Sequence, residues 1–287
     1  MKKILLGTSA LIGAAALLTG AANAAETPKI TLGGFSTFQA GFAGEDQDTN
    51  LRAGAFRSDN VVTLRVAGKS DAGLGYGAAI DLAADTSANA DDAGIHSERT
   101  FVYVDGKWGK LQGGSDLGVT KTMKVDASSI ARATGGVDGD FTYFMSSTSG
   151  TTIATPDLIL DYGATQLGDE SSQAINKISY YTPRFSGFQA GVSYLFYTTG
   201  SDRGQSLSRQ DNTSGEAENV ILGAINYEGK FQNVGVNLGA TGEWGNSEVS
   251  TVNDLRTYQL GAKVDYKGFS LAGSYGNWGD SLQTKAT

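Results

Sequence analysis

The sequence predicts an all-β protein, a transmembrane antiparallel β-barrel of which about eleven strands are present. Three observations predict this fold. Segments of about ten residues alternate between apolar and polar side chains. Short and long polar connections alternate between these segments, as they do at the two ends of a membrane barrel. After residue 24, no apolar run approaches the roughly 18 residues that a membrane-spanning helix needs.

The first residues have the pattern of an export signal. Lys2 and Lys3 give a positive start, a stretch of small and aliphatic residues follows, and Ala22-Asn23-Ala24 supplies a small-x-small cleavage site. We predict a signal peptide at 1–24 and a barrel domain at 25–287. A membrane helix is the alternative for the apolar stretch, which is too short and too rich in Gly and Ala for that role.

Composition favours strands and excludes several classes of function. The chain has 40 Gly, 3 Pro, 12 Tyr, 12 Phe and no Cys, which suits aromatic-girdled strands without disulfides. Without Lys2 and Lys3, 20 basic side chains face 30 acidic ones. An acidic chain of this kind disfavours nucleic-acid binding. Its acids would bind divalent cations loosely, bias a pore toward cations, or only keep exposed loops soluble.

Residues 257–266 show the alternation most clearly. One face carries Tyr258, Leu260, Ala262, Val264 and Tyr266, and the other is polar or small. Similar alternation recurs at 187–197 and 269–278, where aromatic residues mark the segment ends, as they do at a membrane interface. A soluble β-sandwich also alternates, so the lengths of the connections carry the distinction.

We predict eleven strands, which the turn residues separate. They are Lys29–Phe42, Asn60–Lys69, Gly73–Ala83, Glu98–Asp105, Gly109–Ser115, Asn176–Thr182, Gly187–Tyr197, Asn219–Glu228, Phe231–Trp244, Thr257–Tyr266 and Phe269–Trp278. Short turns fall at 70–72, 106–108, 184–186, 229–230 and 267–268. Long polar stretches fall at 43–59, 84–97, 116–175, 198–218 and 245–256. Since a sandwich has no reason to place every long loop at one end, this order favours a barrel.

The stretch 116–175 is too long for an ordinary connection, because structureless loops beyond about 15 residues usually have a function. It contains Asp and Lys side chains among several glycines. We predict a loop that folds into the barrel and narrows the pore. An external plug and a partner-binding loop are the alternatives that this composition leaves open.

Residues 177–194, Lys-Ile-Ser-Tyr-Tyr-Thr-Pro-Arg-Phe-Ser-Gly-Phe-Gln-Ala-Gly-Val-Ser-Tyr, resemble a strand–turn–strand motif of Gram-negative general-diffusion porins, especially the alphaproteobacterial ones. Residues 99–114 and 135–140 support the resemblance. It implies an outer-membrane barrel of about 16 strands, usually a homotrimer in lipid, whose third external loop folds inward. Its implied function is passive diffusion of small hydrophilic solutes and ions through a water-filled channel.

The same resemblance implies a constriction in which loop acids face wall bases. Asp138 and Asp140 match the acidic part of the loop, and Arg99 matches a basic wall position. Arg65, which alternates with outward Leu64, and Lys177, which opens the strand after the loop, match more loosely. Each of these charges has a simpler interpretation as a solvated side chain with no selective role.

The end of the chain departs from the family pattern. Residues 283–287 are polar and follow an odd eleventh strand, whereas bacterial barrels have even strand counts and the family ends on a strand with a terminal Phe. We therefore expect a fragment truncated in or just after that strand.

The residues do not indicate an enzyme or a cofactor or metal site. His96 is the one histidine, there is no Cys, and no G-x-S-x-G or EF-hand pattern is present. A substrate-selective channel would need an aromatic lining, while the predicted inward faces are mainly Gly, Ser, Asn, Gln and charge. That channel and an adhesive or structural barrel remain the alternative functions.

Overall fold

Eleven antiparallel strands form one continuous sheet. A computed structural model describes residues 26–42, 44, 53–84, 96–130, 144, 157–162, 175–198 and 216–285. The strands are β1 Glu26–Phe42, β2 Gly54–Lys69, β3 Gly75–Ala83, β4 His96–Gly106, β5 Gly109–Ser115, β6 Asn176–Tyr181, β7 Phe188–Tyr197, β8 Ala217–Phe231, β9 Val234–Ser247, β10 Leu255–Tyr266 and β11 Phe269–Asn277. Three short helical elements lie between β5 and β6: α1 Val119–Met123, the 3-10 helix η1 Ala127–Ser129, and α2 Ile159–Tyr162.

The sheet is a simple meander, because each strand pairs with the next one along the chain. All eleven predicted strands are present, so the all-β fold class is confirmed. Within the described residues, β1 pairs only with β2 and β11 pairs only with β10. The sheet is therefore open between these two strands.

Two of the predicted hairpin turns differ in outcome: one is confirmed and the other is wrong. The turn at Lys267 and Gly268 is confirmed, with φ of 47° and 88°, the two positive values that a tight hairpin favours. The predicted turn at Gly229 and Lys230 is wrong, because both residues pair with β9 inside β8. Pairing continues to the end of β8, and the chain reverses at Gln232, which itself adopts a φ of 55°.

The sheet has two faces of opposite character, as the alternation predicted. The outward face, which carries Leu260, Val264 and Leu271, exposes a broad apolar and aromatic surface. Leu271 is 78% exposed, and an exposed apolar surface of this extent marks contact with another apolar phase. The inward face carries Arg65 and Lys177 together with small and polar side chains, and the connection between β5 and β6 packs on it.

Aromatic pairs lie toward both ends of the outward face. Phe38 and Phe56 stack with ring centroids 5.5 Å apart near the long connections. Trp108 and Tyr180 stack at 6.2 Å near the short turns, and the hydroxyl of Tyr180 donates to the carbonyl oxygen of Trp108. Aromatic rings at two levels are the arrangement expected of a barrel crossing a bilayer.

A compact apolar cluster joins the connection to the inward face of β7–β10. Its buried members from the connection are Val119, Met123, Ile159, Leu160 and Ile175. Its members from the strands are Leu195, Ala217, Val220, Leu222, Ala224 and Leu255. Removal of these aliphatic side chains from water fastens the connection to one part of the wall.

Candidate functional site

A row of charged side chains crosses the inward face of β2, β3 and β4. Asp81 is only 1% exposed, and its Oδ2 lies 2.5 Å from Nη2 of Arg99. Its Oδ1 lies 3.7 Å from Nη2 of Arg65. The cross-strand register places Asp81 directly opposite Arg99, and alternation puts all three side chains on one face. The side chains of Arg65 and Arg99 are 51% and 35% exposed, so both remain accessible to water and solutes.

The row continues to Asp116, the first residue after β5. Nη1 of Arg99 lies 3.7 Å from Oδ1 of Asp116. The side-chain amide of Gln112 donates to Oδ2 of Asp116 over 2.5 Å. Arg99 thus lies between one carboxylate of the wall and one at the base of the long connection.

Lys177 ties together the two ends of that connection. Its side chain lies on the inward face, as the alternation predicted, but it is buried. The ammonium group donates to the backbone carbonyl oxygens of Asp116 and Ile175, the latter over 2.5 Å. Since these residues flank the connection, Lys177 holds its base closed.

Helix α1 lies against β6 and β7 through hydrogen bonds as well as apolar contact. The backbone N–H of Val119 donates to Oγ of Ser193 over 3.1 Å, and the hydroxyls of Ser193 and Ser179 lie 2.8 Å apart. The hydroxyls of Thr122 and Tyr181 lie 3.1 Å apart. The hydroxyl of Ser193 thereby accepts a hydrogen bond from a buried N–H of the connection that has no contact with water.

A second charged group, the connection cluster of Lys121, Lys124, Asp126 and Asp157, joins the two halves of the connection. Nζ of Lys121 lies 2.5 Å from Oδ2 of Asp157, and Lys124 binds both Asp157 and Asp126, the latter at 2.7 Å. Burial alone would lower the pKa of Lys124, but the attraction of Asp157 and hydrogen bonds to both carboxylates raise it. Burial would raise the pKa of Asp126, but hydrogen bonds from Lys124 and Ser128 lower it. Both groups are therefore held in their charged forms.

Glu243 and Trp278 fasten the second half of the connection. Oε2 of Glu243 on β9 accepts from the hydroxyl of Thr257 at 2.8 Å and from the backbone N–H of Leu160 at 3.3 Å. The indole N–H of Trp278 donates to the carbonyl oxygen of Asp157 over 3.1 Å. These bonds place α2 against β9–β11.

The structure brings together some of the predicted site residues. Arg65 and Arg99 lie on either side of Asp81, and Lys177 lies at the adjoining base of the connection. The predicted loop acids Asp138 and Asp140 lie outside the described residues.

Sequence reasoning missed four charged residues of the inward face or its base: Asp81, Asp116, Lys110 and Glu243. Alternation gives a signal for three of them, since Asp81 lies between two aliphatic residues, while Lys110 and Glu243 each lie between a glycine and an apolar residue. Lys110 lies 4.9 Å from the ring centroid of Tyr103. For Asp116 there was no periodic signal, because it lies just beyond β5.

Comparison with known proteins decides the family. Residues 8–287 match the sequence profile of the Gram-negative porins. This chain belongs to the Gram-negative porin family. An anion-selective porin from Comamonas acidovorans shares the fold of this porin, with a TM-score of 0.54 and 20% identity over 87% of this chain and 68% of that one. No helix among the described residues has the length and apolarity to cross a membrane.

Two uncharacterized rickettsial proteins are similar along the whole chain. The one from Rickettsia conorii is 25% identical, covering 99% of this porin and 79% of the relative. The one from Rickettsia bellii is 23% identical, covering 99% and 78%. The porin family and the fold together make this chain a channel protein of the Gram-negative outer membrane.

Proposed function

We propose that this porin mediates passive diffusion of small hydrophilic solutes and ions, through a lumen that residues 116–175 narrow. The observation that carries this proposal is the position of the charged row. Arg65, Asp81 and Arg99 lie on β2–β4, with the side chain of Arg65 exposed and that of Arg99 partly exposed. Helices α1 and α2 are fastened to β6–β11. The part of the wall that the described connection leaves uncovered is therefore polar and solvated.

The charges give this passage its preference for polar solutes. The guanidinium groups of Arg65 and Arg99 provide hydrogen-bond donors to solutes, and the buried carboxylates of Asp81 and Asp116 lie within a few ångströms of them and hold them in place. On the basis of the family resemblance, we propose that Asp138 and Asp140 supply the acidic side of the same passage. A field across the passage aligns the dipoles of polar solutes and favours them over apolar ones.

A weak preference between cations and anions follows from the pairing of these charges. On the wall, two arginines face Asp81 and Asp116. In the connection cluster, Lys121 and Lys124 face Asp126 and Asp157. Opposite charges at such short range cancel beyond a Debye length of about 8 Å, so the described residues give a permeating ion little net field.

We further propose that residues 1–24 direct export, and that the mature porin forms a homotrimer surrounded by outer-membrane lipid. The signal peptide is supported by its charged start, apolar stretch and small-x-small site. Contact with lipid is supported by the exposed apolar outward face, on which Phe269 is 80% exposed. Chemical cross-linking of the native protein in detergent tests the trimer.

Conductance in planar bilayers tests the channel function. We expect a current that rises in proportion to voltage, with a small reversal potential in a salt gradient. Specific block by one solute would overturn free diffusion in favour of a substrate-selective channel. Absence of any conductance would overturn the channel in favour of an adhesive or structural barrel.

A further inference from the structure

Three glycines on the inward face lie directly beneath the connection. They are Gly191 on β7, Gly239 on β9 and Gly261 on β10. A Cβ on Gly191 would lie 2.6 Å from the sulfur of Met123, and one on Gly239 would lie 3.0 Å from the backbone nitrogen of Val125. A Cβ on Gly261 would overlap the backbone carbonyl oxygen of Val125. The connection therefore lies closer to the wall than any larger side chain would permit.

Two of these glycines pair across neighbouring strands and form a single depression in the inward face. Gly239 and Gly261 are direct partners across β9 and β10, and Asn226 of β8 is the next partner in the same row. The side-chain amide of Asn226 donates to the backbone carbonyl oxygen of Met123 over 3.4 Å. The main chain of residues 123–125 thus lies in a trough that has no side chains beneath Val125 and a hydrogen-bond donor beside it.

A fourth glycine receives another part of the same connection. A Cβ on Gly41 of β1 would overlap the aromatic ring of Phe144. Gly41 lies on the same face as Arg57, two residues along β1 from Gln39, which pairs with Arg57. The connection is therefore seated on glycine both in β1 and in β10, strands that lie near opposite ends of the sheet order.

We infer that Gly239 and Gly261 are positioning residues that set the distance between the connection and the wall, and with it the cross-section open to solutes. This inference rests on the proposed channel function. The atoms that a Cβ would meet at Gly261 belong to the backbone, which has no flexible end to yield. The connection cluster and the bonds to Glu243 hold the segments on either side, so an added side chain displaces Val125 into the lumen.

The variant Gly261→Ala, in the native protein reconstituted in planar bilayers, tests this inference. We expect a loss of single-channel conductance and a smaller size limit for permeating solutes. Gly191→Ala should reduce the conductance less, because its Cβ would meet the side chains of Met123 and Val119, at 2.6 and 2.9 Å, rather than the backbone. Gly33→Ala is the matched control, since it lies on the inward face of β1 and a Cβ there meets nothing within 4 Å.

Conductance of Gly261→Ala equal to that of Gly33→Ala, or above that of the wild type, would overturn the inference. If Gly261→Ala does not fold, Gly239→Ala decides in its place, because its Cβ requires a shift of only a few tenths of an ångström. A smaller reduction of conductance is expected from it, and conductance equal to that of Gly33→Ala would overturn the inference.

A second measurement separates this inference from the channel function itself. The chain has no cysteine, so Val119→Cys introduces a single thiol at a fully buried position of α1. A water-soluble maleimide should label this thiol faster in the Gly261→Ala background than in the Gly33→Ala background. Equal labelling rates would show that Gly261 does not set the position of the connection against the wall, whether or not the protein conducts.

Discussion

The carboxylate of Asp81 on β3 lies 2.5 Å from the guanidinium group of Arg99 on β4. Asp81 is buried and Arg99 is not, so the pair presents its positive member to the lumen. A second arginine, Arg65, approaches the other oxygen of the same carboxylate. One buried acid therefore orients two arginine side chains and partly compensates their positive charge.

Replacement of this acid should make the passage more attractive to anions. Asp81→Asn keeps the size of the side chain and removes its charge, which leaves the positive charges of Arg65 and Arg99 less compensated. We expect the reversal potential in a salt gradient to shift toward anion selectivity. The free energy of unfolding should fall by about 1 kcal/mol, a modest loss because both arginines are partly solvated.

Asp71→Asn is the control for this prediction. It removes the same charge from an exposed position in the short turn between β2 and β3. Selectivity that shifts equally in both variants would show that total charge, rather than the Asp81 site, governs ion preference.

Lys177→Met should loosen the base of the connection. Methionine retains most of the chain length of lysine but cannot donate to the carbonyl oxygens of Asp116 and Ile175. Hydrogen bonds from a charged group contribute roughly 1.5–3 kcal/mol, so we expect a lower unfolding temperature and faster proteolysis within 116–175. Lys107→Met, in the exposed turn between β4 and β5, is the control, and equal proteolysis of the two variants would contradict the role of Lys177.

Glu243→Ala should destabilise the attachment of α2. The substitution leaves the buried N–H of Leu160 and the hydroxyl of Thr257 without this acceptor, at a cost of roughly 1–3 kcal/mol. Glu243→Gln retains one acceptor oxygen, so it should lose less stability than Glu243→Ala. Thermal unfolding measures both, with Glu228→Ala, a half-exposed position on the neighbouring strand, as the control. An equal loss from the Ala and Gln variants would contradict a hydrogen-bonding role.

Attachment of the connection should depend on pH at both extremes. The pKa of Asp126 is lower in the folded protein than in the unfolded chain, where it is about 3.9. The ionised carboxylate therefore stabilises the fold fully at pH values above that unfolded pKa, and this contribution is lost as the pH falls through the folded pKa. The pKa of Lys124 is higher in the folded protein than in the unfolded chain, where it is about 10.4. The charged ammonium group therefore stabilises the fold fully at pH values below that unfolded pKa, and this contribution is lost as the pH rises through the folded pKa. Between these limits the connection should remain fastened.

Trp278 reports this attachment, because its indole donates to the backbone of Asp157 and packs against the apolar cluster. With the other two tryptophans replaced by Phe, its emission should shift to longer wavelength on acidification. In Asp126→Asn, part of that acid shift should disappear. An acid transition identical in the two proteins would exclude Asp126 as a contributor.

The strands and the faces of the sheet were predictable from local pattern. Alternation fixes which side of a strand Arg65, Arg99 and Lys177 occupy, because successive side chains point to opposite faces. The turn at Lys267 and Gly268 was also predictable, since glycine accepts positive φ. The turn at Gln232 was not, because the nearest preceding glycine, Gly229, pairs with β9 inside β8, and the reversal comes three residues later at Gln232, beside no glycine.

The contacts of the site required the three-dimensional structure. That Asp81 faces Arg99 depends on the register between two strands, which the sequence does not specify by itself. Burial of Lys177 depends on the connection returning over the wall. The glycines at 239 and 261 looked like generic small inward residues, and only the position of Val125 shows what they accommodate.

The central claim, that this porin is a passive diffusion channel, is tested most directly by solute entry into liposomes that contain the native protein. A series of uncharged sugars of increasing size, each at several concentrations, gives the rate of osmotic swelling. We predict rates that fall smoothly with solute size and rise linearly with concentration. Saturation by one sugar, or swelling no faster than in protein-free liposomes, would contradict the claim.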